Sequence, residues 1–175
     1  MRTTSGRTLY LDVETTGLSC SEGDEIVEIA VVDEAGQVLL ESLVRPIRCQ
    51  DWPEAQAVHG ITPADVASTP VLEKLIPHLQ DLFEQADTLV IYNATFDLSF
   101  LPTMLQPLAS GKAICAMQAF ALQIGDWDER RGAFRWYSLM EAARHAGHSW
   151  EGNAHRALAD AMAARTVWRW LRSQP

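Results

Sequence analysis

Leu9-Tyr10-Leu11-Asp12-Val13-Glu14-Thr15-Thr16-Gly17-Leu18 is the stretch on which the fold turns, because it joins a buried-strand pattern to two carboxylates that such a strand should exclude. Thr8 to Val13 is apolar or β-branched almost throughout, which suits a strand covered on both faces at the centre of an α/β sheet. Alternation puts Asp12 and Glu14 on one face and Leu11 and Val13 on the other. Two like charges ~6 Å apart repel by roughly 3 kcal/mol at an effective dielectric of ~20, and desolvation adds to that cost. A divalent cation between them would remove the repulsion. Thr15-Thr16-Gly17 ends the strand, with Gly17 free to take a positive φ and neighbouring amides exposed where the carboxylates point. Read alone, Asp-x-Glu fits equally a solvent-exposed strand end with two ordinary acids.

The 175 residues suit one domain, residues 1–175, large enough for a real core, and the 47% hydrophobic content agrees. A net charge of -9 and a sequence pI near 4.9 argue against a broad basic surface for gripping duplex nucleic acid. The charge is uneven: residues 1–87 hold 5 Lys/Arg against 16 Asp/Glu, a balance of -11, and residues 88–175 hold 9 against 7, a balance of +2. An anionic ligand should therefore meet mainly the second half. Cys20, Cys49 and Cys115 are scattered and odd in number, which favours a reduced compartment. No apolar run approaches the ~20 residues of a membrane span, and the N-terminus lacks a signal-peptide core. The expectation is a soluble cytoplasmic protein with no membrane partner.

Along the chain, Ile26 to Asp33 and Val38 to Val44 read as two further strands, joined through Ala35-Gly36 into an antiparallel meander of three with the first. Glu28 is the one charge inside the second strand. Leu18 to Asp24 reads as a loop. Gln50 to Ala67 is irregular to weakly helical, with Thr62 capping a short helix that has Pro63 at its first position. Thr69-Pro70 signals the start of a longer helix to about Gln85. Thr88 to Tyr92 is a fourth strand, followed by a helix from Asn93 to about Leu105, and this crossover predicts parallel pairing and a mixed sheet. Ala113 to Ala116 is a candidate fifth strand. Met117 to Ile124 and Ser138 to Ala146 read as helices, Gly125 to Gly132 as a charged loop, and Ala154 to Leu171 as a long final helix.

Asp97 falls just past the C-terminal end of the fourth strand, where open α/β sheets place their ligands, although an ordinary acid in a first helical turn would look the same. His155 and Asp160, five residues apart, would stand roughly 140° from each other around a regular helix at ~100° per residue. The histidine must then precede the regular helix, on a Gly152-Asn153 segment free to move, while Asp160 faces the sheet among alanines and Leu158. A solvated histidine at a helix start is the alternative.

Taken in order, Asp12-x-Glu14-Thr15-Thr16-Gly17, Asn93-x-x-Phe96-Asp97 and His155-x-x-x-x-Asp160 resemble the DEDDh group of 3'-5' exonucleases, which includes polymerase proofreading subunits. Glu25-Ile26-Val27-Glu28-Ile29-Ala30 and Val58-His59-Gly60-Ile61-Thr62 are also similar to segments found between those motifs. The resemblance implies a ribonuclease-H-like α/β fold: a mixed five-stranded sheet with an antiparallel three-strand meander, flanked by helices. It implies a hydrolase that removes nucleotides singly from a 3' end. Asp12, Glu14, Asp97 and Asp160 would hold two Mg²⁺ or Mn²⁺ ions, with His155 as general base. Hard divalent cations prefer carboxylate oxygens, and a pair of them ~4 Å apart stabilises both the attacking and the leaving oxygen of an in-line displacement. A histidine, with its reference pKa of ~6.5, suits proton acceptance near neutrality.

The resemblance further makes Thr15, Thr16 and Gly17 candidates for holding the terminal nucleotide, with Leu18 packing on a base. His59 is another candidate contact, with a structural role as its alternative. Trp127 to Tyr137 interleaves Arg130, Arg131 and Arg135 with four aromatics, the composition of a single-strand platform or of a loop anchored by its rings. Arg165, Arg169 and Arg172 share one side of the last helix, as a solvated face also would. The absence of a tail beyond Pro175 argues for a free-standing enzyme acting on single-stranded DNA or RNA and against a polymerase partner, and the six tryptophans offer candidate contacts for a homodimer. The classes left open are an exonuclease-like module that binds nucleic acid or a partner without cleaving it, and a purely structural acidic α/β domain.

Overall fold

The structure is a computed structural model that describes residues 6–150 and 154–175. Its strands β1 (Thr8–Thr15), β2 (Ile26–Asp33), β3 (Val38–Leu43), β4 (Thr88–Ile91) and β5 (Ala113–Cys115) form one sheet in the order β3-β2-β1-β4-β5. β1–β2 and β2–β3 pair antiparallel, and β1–β4 and β4–β5 pair parallel, so the mixed sheet and its meander are as the sequence predicts. Around it lie α1 (Pro53–His59), α2 (Pro63–Val66), α3 (Ile76–Gln85), α4 (Ala94–Phe100), α5 (Gln106–Ser110), α6 (Ala116–Ile124), α7 (Leu139–His145) and α8 (Ala157–Ser173). Thr62 with Asp65 and Ser138 with Glu141 form reciprocal capping boxes that set the starts of α2 and α7.

Alternation along the strands divides the core in two. Leu9, Leu11 and Val13 of β1, with Ile29, Val31, Leu89 and Ile91, pack on one face against α3 and α4. Tyr10, Val32 and Val90 pack on the other face against α6, α7 and α8. The second face is built largely from alanine: Ala157, Ala161 and Ala164 of α8, spaced by four and three residues, are fully buried. Small side chains let the helix lie close to the strands, and this closeness decides how far a residue of α8 reaches into the sheet.

Several boundaries differ from the sequence reading. Thr69 does not start a helix, because its hydroxyl donates back to the Val66 carbonyl and the Pro70 carbonyl is taken by the Arg45 amide. A 3-10 turn at Leu72–Lys74 intervenes, and α3 begins at Ile76 with Pro77 in its first turn, where a missing N–H costs nothing. α4 stops at Phe100 rather than near Leu105, because Leu101 precedes Pro102 and is held extended at φ -66°, ψ 146°. The predicted charged loop after α6 contains a hairpin, β6 (Trp127–Asp128) with β7 (Ala133–Phe134). The last helix starts at Ala157, three residues later than its pattern suggested.

Of the tryptophans considered for a dimer contact, Trp150, Trp168 and Trp170 pack partly buried on the second core. Cys20, Cys49 and Cys115 are free thiols. Among the described residues no helix is long and apolar enough to cross a membrane.

Ala164→Leu, which forces a larger side chain between α8 and the sheet, is expected to destabilise the fold by about 1–3 kcal/mol, read from the midpoint of urea denaturation.

Candidate active site

β1 carries Asp12 and Glu14 on the face that α8 covers. The antiparallel register sets Ala30 opposite Asp12 and Glu28 opposite Glu14, so Glu28 shares that face. Asp160 comes down from the first turn of α8, and one carboxylate oxygen each of Asp12, Glu14 and Asp160 lie within 4.8 Å of one another. Asp97, in the first turn of α4, is buried, and its Oδ1 accepts the Val13 amide at 3.3 Å. It therefore stands against the β1 backbone between the two strand acids, beside the three-acid group and close enough for its charge to act on Asp12.

Electrostatics at this spot oppose four free negative charges. Burial first, then the neighbouring charges of Asp97, Asp160, Glu14 and Glu28, hold the Asp12 carboxyl well above the usual range. Burial likewise raises Glu14 to about 8, Asp97 to about 7 and Asp160 to about 6. Three converging carboxylates whose ionised forms are disfavoured by burial and by one another's charge are a chemically fitting seat for a hard divalent cation.

His155 precedes α8, as its spacing from Asp160 requires. It is exposed and sits in the left-handed region at φ 61°, a conformation that costs a non-glycine residue about 1–3 kcal/mol unless its surroundings impose it. Its amide donates to Asp160 Oδ1 at 3.2 Å. Gly152 and Asn153, expected to let it move, lie outside the described residues.

Glu14 opens onto a cleft of about 500 Å³, within the range of small-ligand sites, lined also by Thr15, Thr16, Gly17, Leu18 and His59. The five residues expected to contact substrate thus border the acid cluster. Leu18 is 87% exposed at this site. Thr16 is already engaged on two sides: its amide donates to the Glu25 carbonyl at 2.8 Å and its hydroxyl to Asp24 at 3.1 Å. His59 is buried, and Nδ1 accepts the Ile61 amide at 3.0 Å, which leaves Nε2–H to donate to the Thr15 carbonyl at 3.2 Å. Burial lowers its pKa, so a neutral ring props this wall of the cleft.

Gly17 does not use its freedom to take a positive φ. Glycine is required by crowding, since a Cβ there would sit 2.4 Å from the Asp24 carboxylate, which also accepts the Ser19 amide at 3.0 Å.

Other candidates look different in three dimensions. Arg130 and Arg131 of the hairpin face Asp128, while Arg135 faces Asp126 and Glu141 and lies 4.8 Å from the Tyr137 ring centroid. Arg165 donates to the Glu34 carbonyl, and Arg169 and Arg172 pair with the Glu34 carboxylate. Glu28 went unnoticed as part of this site. It is 2% exposed and bound to Arg156 and the Ala157 amide, and its sequence signal was a lone charge inside an apolar strand.

A family model for exonucleases, RNase_T, matches residues 9–167. The uncharacterized exonuclease CP81 of Escherichia phage 186 is 37% identical over 162 residues, which is 87% of this chain and 81% of the phage protein. Exodeoxyribonuclease 10 of Escherichia coli K12 is 40% identical over 111 residues, 62% of this chain but 44% of that protein. Among solved structures, exonuclease X in complex with 5' overhanging duplex DNA aligns with a TM-score of 0.68 at 31% identity, covering 95% of this chain and 92% of that one.

Because the folded chain holds protons on Glu14, Asp97 and Asp160 that the unfolded chain releases near 4, the metal-free contribution of these three acids to stability is fully present below about pH 4 and is lost as pH rises through 6 to 8. Calorimetry without metal is expected to show Tm falling between pH 5 and 8, and added Mn²⁺ to raise Tm more at pH 8 than at pH 6. Gly17→Ala is expected to cost about 1–3 kcal/mol in thermal denaturation through its clash with Asp24.

Proposed function

The chain belongs to the RNase_T exonuclease family, and from that membership we propose that it is a metal-dependent 3'-5' exonuclease that trims single-stranded nucleic acid and releases 5'-mononucleotides. One observation carries the reading: Asp12, Glu14 and Asp160 converge within 4.8 Å, with Asp97 alongside, and Glu14 of this group lines the cleft bordered by Thr15 to Leu18 and His59. DNA is the better supported substrate, because exodeoxyribonuclease 10 and the DNA-bound exonuclease X, both above 30% identity, are named for it.

In this reading Asp12, Glu14, Asp97 and Asp160 hold two Mg²⁺ or Mn²⁺ ions. When bound, such ions supply positive charge to the reacting phosphate and to the entering and departing oxygens. Four carboxylates matched by two divalent cations leave the site near neutral, which lets an acidic chain accept a phosphodiester. The chain's residues do the rest. His155 takes the proton of the attacking water, and its place outside the helix lets the ring approach the acid group from the solvent side. The Thr15–Gly17 backbone seats the terminal nucleotide against the strand end, and the exposed Leu18 side chain packs on its base. His59 acts indirectly, by holding the Thr15 carbonyl.

A 5'-labelled oligodeoxynucleotide with Mn²⁺ is expected to shorten one nucleotide at a time from its 3' end, and a matched oligoribonucleotide to shorten more slowly. Asp12→Ala is expected to retain the fold and to lose more than the roughly 10–100-fold in kcat that removal of a supporting residue costs. Internal cuts, or cleavage at the parent rate by the purified variant, would overturn the assignment.

A further inference from the structure

Glu28 lies near the start of β2, directly across from Glu14, where a second acid on the same face repels the first. It is nonetheless nearly sealed from solvent. What holds it there is the N-terminal end of α8: Arg156 Nε lies 3.1 and 3.0 Å from the two carboxylate oxygens, Arg156 Nη2 lies 2.5 Å from Oε1, and the Ala157 amide donates to Oε2 at 2.8 Å. Ala157 is the first residue of the helix, and its N-cap residue, Arg156, makes no side-chain cap of its own. The start of α8 is therefore capped by a side chain from another element, which satisfies a helix-end N–H and sets a negative charge at the positive end of the helix dipole.

The clamp falls between the two functional positions of this segment. His155 immediately precedes Arg156 and is held in the left-handed region. Asp160 is three residues beyond Ala157, and its Oδ1 takes the His155 amide. Two tethers thus fix this turn: Asp160 holds His155 from within the helix, and Glu28 holds Arg156 and Ala157 from the sheet. Because Glu28 is level with Glu14, the second tether sets the height of α8 above the strand that carries Asp12 and Glu14.

We propose that Glu28 and Arg156 act as positioning residues for the nucleolytic reaction, docking the first turn of α8 so that His155 and Asp160 meet Asp12 and Glu14 in register. Arg156 also offsets the fifth acid of the cluster, which keeps Glu28 engaged with the helix and out of the group that binds cations. The guanidinium fork is needed for this, because it meets both carboxylate oxygens at once while the Ala157 amide takes a further lone pair.

This inference rests on the exonuclease reading, and its test separates the two. Parent, Glu28→Gln, Arg156→Met and the milder Arg156→Lys are compared on a 5'-labelled oligodeoxynucleotide with Mn²⁺, at a temperature where circular dichroism finds all four folded. Both Glu28→Gln and Arg156→Met are expected to lose about 10–100-fold in kcat with KM within about threefold. Arg156→Lys should recover part of the rate, and the Mn²⁺-induced rise in Tm should shrink in the two disabled variants. A purely structural pair would lower Tm but leave kcat per folded molecule at the parent value, and that result overturns the inference alone. An inactive parent overturns the exonuclease reading and, with it, the inference. Should Glu28→Gln fail to fold, the kcat and KM of Arg156→Lys decide the matter, since that variant keeps the charge and removes only the fork.

Discussion

Mutual repulsion among buried carboxylates is the constraint on which this structure depends, for Asp12, Glu14, Glu28, Asp97 and Asp160 all gather at one end of the central sheet. Each is accommodated differently. Glu28 receives a guanidinium and a helix-end amide, Asp97 the Val13 amide, and Asp160 the His155 amide. Asp12 and Glu14 sit in the middle, and burial with the surrounding negative charge drives both toward the neutral acid. In water such a group would spread apart. Here the strand fixes Asp12 and Glu14 two residues apart on one face, and α8 brings Asp160 onto them.

What permits that approach is the division of labour between the two faces. One face is packed largely with Leu, Ile and Phe, whose burial holds the sheet to α3 and α4. The opposite face is alanine-rich, and small side chains there let α8 lie close to the strands. The alternating side chains of β1 thus serve the apolar core on one side and present Asp12 and Glu14 to α8 on the other, while Asp97 reaches the β1 backbone from α4. The capped start of α8 joins them, because it converts a close helix into a correctly placed one.

Much of this was legible in the residues. Alternation in Leu9 to Val13 already separated the acids from the core-facing apolar residues, and the meander followed from Ile26 to Asp33, the turn at Ala35-Gly36 and Val38 onward. The five-residue gap between His155 and Asp160 forced the histidine out of the helix, and α8 does begin at Ala157. Misreadings arose where a local signal was overruled by a distant partner. Thr69-Pro70 has the chemistry of a helix start, but Arg45 claims the Pro70 carbonyl. Gly17 was free to take a positive φ, whereas it is the Asp24 carboxylate, seven residues on, that excludes a side chain.

The sequence by itself determined the sheet, the two-faced character of its first strand and which acids stood at strand and helix ends, because side-chain period and backbone chemistry are local properties. Only the tertiary structure decided that Asp12, Glu14 and Asp160 share one small volume, that Asp97 leans on β1 beside them and that Glu28 caps α8. Those facts depend on how far one element rests above another, and that distance is set by packed alanines and a 128-residue-distant ion pair that no local pattern encodes.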